Sequence, residues 1–247
     1  MKAMGELSDA PLDKAAASMY RSCVARANYL ALDRPDIAFA VKEACRDMSA
    51  PTTASWEKIK RVVRYLKGEP RLVYEYRWQG QEDLTVYVDT DWAGCHKTRK
   101  STSGGAIVRG SGLLKHWSTT QQTIALSSGG AELQGILKGA AEGLGLQSVG
   151  MDLNTELSVH LYSDASAAIG MVNRKGLGRV RHVEVRELWI QDIVKQKRMT
   201  IGKVAGEENP ADILSKHVDR GKIREHCNRL RMSQEVCRAE AAPATSN

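Results

Sequence analysis

The sequence predicts an α/β chain in which a small helical segment precedes a mixed sheet with flanking helices. Three observations carry that expectation. Ahead of Gly68 the apolar residues recur at helical spacing; from Leu72 to Ser118 they alternate; beyond Ala131 helical and strand-like stretches take turns. At 247 residues, with 42% apolar residues and a mean hydropathy of −0.38, the composition is that of a soluble globular protein. Aromatics are only 5%, so Leu, Val, Ile and Ala must build the core. A formal charge of +7 and a pI near 9.2 favour a polyanionic partner. The five cysteines include no Cys-x-x-Cys pair, which signals neither zinc nor a disulfide framework and points to a reducing compartment. No apolar run approaches the roughly 18 residues of a membrane span, and the start lacks a signal-peptide pattern. These features predict an intracellular chain, cytoplasmic or nuclear and not secreted, with no membrane partner and no small-molecule cofactor.

In chain order, residues 1–17 show little periodicity and are expected to be loose. Tyr20, Val24, Ala27 and Leu30 mark one face of a helix that must stop before Pro35. Ile37, Ala40, Val41 and Ala44 mark a second helix. Trp56, Ile59, Val62, Val63 and Leu66 mark a third, closed by Gly68 and Pro70. Its other face carries Lys58, Lys60, Arg61, Arg64 and Lys67, which reads as solvated surface or as a phosphate track. Residues 18–70 thus form a helical unit.

Leu72–Trp78 and Leu84–Asp89 are strand-like, and two further strand candidates, Ala106–Val108 and Leu113–Ser118, are joined by the turn signal Gly110-Ser111-Gly112. Together the strands around residue 100 form an antiparallel meander. Ser127-Ser128 can start a helix whose face is Leu133, Ile136, Leu137, Ala140, Ala141 and Leu144, with Glu132 in its first turn. Gly135, Gly139 and Gly143 lie on this helix; they either weaken it or admit a close neighbour. Leu157–Ser163 is an alternating strand ending at Asp164. A short helix, a basic loop (Arg174–His182), a helix carrying Val185, Leu188 and Trp189, and a strand Met199–Val204 follow. Asn209-Pro210-Ala211-Asp212 opens a short helix. Residues 219–247 read as a basic, partly disordered tail.

Asp89 and Asp164 each end a strand, and a meander plus a helix separates them. A connection that long lets the two strands lie parallel and adjacent, with both carboxylates at one sheet edge. Glu132 and Asp212, each in the first turn of a helix, can then point at the same place. Converging carboxylates repel one another unless divalent cations neutralise them. Two hard cations roughly 3.5–4 Å apart suit in-line attack of water on a phosphodiester. Any one of these acids alone reads as a cap or surface carboxylate; their joint placement at element ends carries the inference. The basic loop with Lys97, Arg99 and Lys100, together with Arg179 and Arg181, supplies candidate phosphate contacts. Trp92, close behind the first acid, reads as core in preference to a sugar-stacking platform. His182 caps a helix or meets a phosphate.

The strings V-D-T-D-W-A-G, R-K-S-T-S-G-G, W-S-T-T-Q-Q-T-I-A-L-S-S, A-E-L, Y-S-D-A-S-A-A and N-P-A-D-I-L-S-K resemble the ribonuclease H domain of copia-type retrotransposon Pol polyproteins. Upstream, Y-R-S-C-V-A-R-A-N-Y-L, R-P-D-I-A-F-A-V and R-V-V-R-Y-L-K-G resemble the segment that connects reverse transcriptase to ribonuclease H there. The resemblance runs from about Tyr20 to His217. It implies a ribonuclease H-like fold over 71–218, with a mixed five-stranded sheet and flanking helices, after a reverse-transcriptase connection segment over 18–70. It further implies an endonuclease cutting the RNA strand of an RNA–DNA hybrid with two Mg²⁺ or Mn²⁺ ions. The family's catalytic and metal-binding acids match Asp89, Glu132, Asp164 and Asp212. By that analogy Asp89 bridges both ions, Glu132 and Asp164 complete one site and Asp212 the other. Hybrid recognition through groove shape and 2′-hydroxyls would leave little base specificity. An intact polyprotein would add its reverse transcriptase as a partner. Gly129-Gly130 departs from the family pattern ahead of Glu132 and loosens the expected helix start. The loop before the last helix reads Val204-Ala205-Gly206-Glu207, so no His is assigned there, as in copia-type sequences. Separately, Thr90 breaks any polymerase-like Y-x-D-D, so no polymerase activity is expected. A decayed or co-opted fragment that binds nucleic acid without cutting is the alternative.

Overall fold

A computed structural model describes residues 9–80, 83–176 and 188–235. The chain divides into two compact units, 1–74 with 232–247, and 75–231.

In the first unit, helices α1 (Lys14–Leu30), α2 (Pro35–Cys45) and α3 (Thr53–Gly68) close around Tyr20, Val24, Ile37, Val41, Ala44, Ile59 and Val62. α1 starts earlier than the sequence suggested because Asp13 caps it, accepting from the Ala16 amide at 2.8 Å. α2 opens on Pro35 itself, whose fixed φ and missing N–H suit a first helical position. A Thr52–Ser55 capping box opens α3. The expected strand Leu72–Trp78 shortens to β1 (Arg71–Tyr74), which pairs antiparallel with β7 (Met232–Glu235) instead of joining the main sheet. Part of the expected tail is therefore ordered: helix α8 (Arg220–Arg229), capped by Asp219, precedes β7. Residues 236–247 lie outside the described residues.

The second unit is built on a five-stranded sheet of order β4-β3-β2-β5-β6. β2 (Leu84–Asp91), β3 (Thr102–Arg109) and β4 (Gly112–Thr120) form the antiparallel meander, turning at Gly110, where φ is +53°. β5 (Val159–Ser163) joins β2 in parallel, and β6 (Thr200–Lys203) joins β5 in parallel. Helix α4 (Ser128–Asp152) makes the crossover between β4 and β5; α5 (Ser166–Asn173) and α6 (Trp189–Lys195) connect β5 to β6; and α7 (Asp212–Ser215) follows. This is the mixed five-stranded sheet with flanking helices of the ribonuclease H-like fold. Leu84, Val86 and Val88 of β2, Val159 and Leu161 of β5, and Leu133, Ile136 and Ala140 of α4 share one core.

The glycine row on α4 is a contact surface. A Cβ on Gly135 would lie 2.4 Å from Thr90 Oγ1, and one on Gly139 would lie 2.4 Å from Val88 Cγ1. The missing side chains let α4 lie directly on β2, which offsets their cost to the helix.

Candidate active site

Register brings the first and third acids together. β2 and β5 pair Leu84 with Val159 and Tyr87 with Tyr162, a constant offset that places Asp89 level with Asp164, the residue after β5. α4 is laid across β2 by its glycines and presents Glu132 to the same edge. Among the described residues, one oxygen each of Asp89, Glu132 and Asp164 lie within 4.8 Å of one another. The structure thus brings together three of the four expected acids.

The start of α4 is firmly held despite Gly129-Gly130. Ser127 accepts from the Gly130 amide at 3.1 Å, and the buried Gln121 donates its side-chain amide to Ala131 O at 2.8 Å and to Ser103 Oγ at 2.9 Å. These bonds fix the turn that aims Glu132. The helix opens at Ser128, so Glu132 lies in its second turn and not, as expected, its first.

The fourth acid arrives by a different route. Asn209, fully buried, donates to Val88 O at 2.9 Å and accepts from the Ala211 amide at 3.2 Å, which ties the start of α7 to β2. α7 also needs the bare backbone of Gly104, where a Cβ would lie 2.7 Å from the Leu214 carbonyl carbon. Gly104 stands opposite Asp89 in the β2–β3 ladder, so the same glycine that admits α7 places Asp212 beside the first acid. Asp212 is buried but lies outside the three-acid group. Its Oδ1 is 2.9 Å from Lys216 Nζ, and the same ammonium is 3.6 Å from Asp89 Oδ2. Ser215 Oγ donates to Asp89 Oδ2.

Burial dominates the electrostatics. Loss of water raises Glu132 to about 8, and the charges of Asp89 and Asp164 push the same way. Asp89 is raised to about 6, again chiefly by burial, against the opposing pull of Lys216 and the Ser215 hydroxyl. Glu132 Oε2 is buried without a hydrogen-bond partner. An oxygen left in that state costs free energy until a partner satisfies it. The donor set is entirely carboxylate oxygen, the chemistry that hard divalent cations such as Mg²⁺ or Mn²⁺ take. The residues present therefore fit such an ion.

The basic loop leaves β2 two residues beyond Asp89, at the acidic end of the strand. Lys97 and Arg99 are exposed and Lys100 is half-buried. The Arg99 amide donates to Cys95 O at 2.7 Å, and Ala93 and Arg99 adopt positive φ, which coils the loop tightly. Arg179, Arg181 and His182 lie outside the described residues. Trp92, expected in the core, is instead 48% exposed; its indole N–H donates to Ala125 O at 3.1 Å. It stands just past the end of β2, and its polar atom reaches the backbone ahead of α4 in place of a core neighbour. Sequence reasoning also missed Gln121, Asn209, Ser215 and Lys216. All four sit in strings that were noticed, but their roles depend on long-range partners that spacing cannot show.

No protein-family model matches the chain. Over 216 residues it is 32% identical to the retrovirus-related Pol polyprotein from transposon TNT 1-94 of Nicotiana tabacum, covering 85% of this chain and 16% of that polyprotein. Over 110 residues it is 38% identical to the secreted RxLR effector protein 161 of Plasmopara viticola, covering 44% of this chain and 78% of the effector. Among solved structures, LC11-RNase H1 in complex with an RNA/DNA hybrid matches with a TM-score of 0.40 and 17% identity, covering 54% of this chain and 94% of that one.

Proposed function

We propose that this chain, which belongs to the retrovirus-related Pol polyproteins from transposons, is a metal-dependent endonuclease that cuts the RNA strand of RNA–DNA hybrids. The convergence of Asp89, Glu132 and Asp164 at the end of two parallel strands carries this reading. Asp89, held by Ser215, would contribute to both cations, with Glu132 and Asp164 as the other residues that would hold one and Asp212 the residue that would hold the second. When bound, Mg²⁺ or Mn²⁺ supplies activation of a water and stabilisation of the leaving oxygen of a phosphodiester. The chain's own residues do the rest. Asn209 and Gly104 hold α7 against the sheet, and Gln121 and Ser127 fix the turn beneath Glu132. Lys97, Arg99 and Lys100 take backbone phosphates, and Arg179 and Arg181 extend that track. Contacts of this kind position a duplex without reading its sequence.

The copia-type resemblance of the strings around each acid supports the same assignment, with the reverse transcriptase of an intact polyprotein as partner. No described helix is long and apolar enough to cross a membrane. Cys23 and Cys45 are free thiols, and the reading places the chain's work inside the cell, in the cytoplasm or nucleus. A second reading, a co-opted fragment that binds nucleic acid without cutting, is favoured by one observation. The chain covers 78% of a relative that is named an effector and not a polyprotein.

A labelled hybrid incubated with Mg²⁺ or Mn²⁺ separates the two readings. Cleavage by the wild type that Asp164→Asn abolishes supports the nuclease. Salt-sensitive binding of the hybrid with no cleavage by either protein establishes the co-opted fragment. Cleavage that survives in Asp164→Asn removes this acidic cluster from the account.

A further inference from the structure

We propose that the Lys216 ammonium is a built-in counter-ion that joins Asp89 to Asp212 in the metal-free protein and must swing out before a divalent cation can bind between those two acids. The inference rests on the nuclease reading and adds to it a residue that competes for the site.

The geometry is specific. Lys216 Nζ lies 2.9 Å from Asp212 Oδ1 and 3.6 Å from Asp89 Oδ2, so one positive charge spans two buried carboxylates. Those oxygens are two of the donors a cation needs at this side of the cluster, and the ammonium beside them repels a second positive charge. Glu132 Oε2 and Asp212 Oδ1 are both buried without a hydrogen-bond partner, but Asp212 Oδ1 has the Lys216 ammonium 2.9 Å away. The two halves of the acidic centre thus differ in the metal-free chain, one closed by a lysine and one open.

Lys216 is also built to leave. α7 ends at Ser215, and Lys216 itself is extended, with φ −145° and ψ 169°. Its side chain is 42% exposed, whereas those of Asp89 and Asp212 are 4% and 9% exposed. The acids are fixed by β2 and α7, but the ammonium rides a four-carbon stem with a path to water. A compact, strongly hydrated charge gives up a buried pair more readily than a guanidinium fork would. The consequence is ordered binding. A first cation enters on the side of Glu132 and Asp164, and a second binds more weakly because it must displace Lys216.

Calorimetric titration of the full chain with Mn²⁺, together with thermal unfolding with and without the ion, tests this without any assay of cleavage. The wild type should show two unequal binding steps. Lys216→Met, which keeps the stem and removes the charge, should tighten the weaker step by about tenfold, the scale of one lost charge pair at a partly buried site. It should also lower the metal-free melting temperature and enlarge the rise that Mn²⁺ produces. Lys216→Arg, which keeps the charge, should leave the weaker step at or below wild-type affinity. Should Lys216→Met fail to fold, Lys216→Gln carries the same expectation. A neutral variant that binds Mn²⁺ no more tightly than the wild type overturns the counter-ion. If that variant instead loses affinity for an RNA–DNA hybrid, Lys216 is a phosphate contact. Binding of Mn²⁺ by none of the proteins overturns this inference and the nuclease reading together, which distinguishes that failure from the failure of Lys216 alone.

Discussion

Asp36 and Glu132 are carboxylates withdrawn from water in different units of the chain, and their surroundings are opposite in kind. Asp36 is fully provided for by its neighbours. Arg34 meets it as a fork, with Nε 2.9 Å from Oδ1 and Nη2 2.7 Å from Oδ2, and Tyr65 donates its hydroxyl at 2.9 Å. The guanidinium's remaining donor capacity goes to Glu69 O at 2.9 Å and Pro70 O at 3.4 Å. Glu132 faces Asp89 and Asp164, which share its sign, and one of its oxygens has no partner. A buried carboxylate with both oxygens answered is tolerated in a fold, and the fold depends on its partner staying in place. One left among others of its kind destabilises the fold unless something from outside completes it. The first cluster is structural; the second is shaped for a cation.

That contrast predicts substitutions of opposite sign. The largest effect falls on cleavage. Asp89→Asn or Asp164→Asn should lower hybrid cleavage by at least about a hundredfold, while leaving the metal-free melting temperature unchanged or higher. Chelation of divalent cations should do the same to the wild type. Next in size, Arg34→Ala leaves Asp36 buried and uncompensated and should cost about 3–5 kcal/mol in denaturant unfolding. An Arg34→Ala protein as stable as the wild type would erase the difference between the clusters.

Asn209→Ala should cost about 1–3 kcal/mol, since Val88 O and the Ala211 amide both lose a partner. It should also weaken Mn²⁺ binding by loosening α7. Loss of stability without loss of Mn²⁺ affinity would show that α7 does not need this tether to place Asp212.

A last effect is one of pH. In the metal-free protein Glu132 is raised to about 8 and Asp89 to about 6, mainly by burial. Between the ordinary carboxylate range and those values the folded chain holds more protons than the unfolded one, so stability must fall as pH rises. Melting temperatures of the metal-free protein should therefore decline from about pH 5 to about pH 8 through these groups. A saturating divalent cation should flatten the decline, because it binds the deprotonated acids. A metal-free profile that rises over this interval would contradict the assigned direction.

Much of this was legible in the sequence, and the reason differs by element. The strand alternation of Leu84, Val86 and Val88 and of Val159 and Leu161 reports burial on one face, and a parallel register follows from the length of the crossover between them. The acids were visible because each falls close to an element's end in a string with recognisable neighbours. β7 was not legible. Its residues Met-Ser-Gln-Glu carry no alternation of apolar side chains, and its place is set by backbone pairing with β1. The Arg34–Asp36 fork was hidden by Pro35, which marks a helix boundary in sequence but in the fold sets the two charged residues side by side at the start of α2. Lys216 carries no signal of its own within N-P-A-D-I-L-S-K. Only the packing of α7 over Gly104 shows that its reach ends at Asp89 and Asp212.

The claim that Asp89, Glu132 and Asp164 form a cation site is tested most directly by thermal unfolding of the wild type and Glu132→Gln at neutral pH, with and without Mn²⁺. Without the ion, Glu132→Gln should be the more stable by about 2–4 kcal/mol, since burial keeps Glu132 protonated at neutral pH and the variant is spared that proton uptake. With the ion, the wild type should rise in melting temperature and the variant should lose most of that rise. A wild type indifferent to Mn²⁺, or a rise that Glu132→Gln retains in full, would contradict the assignment of this centre.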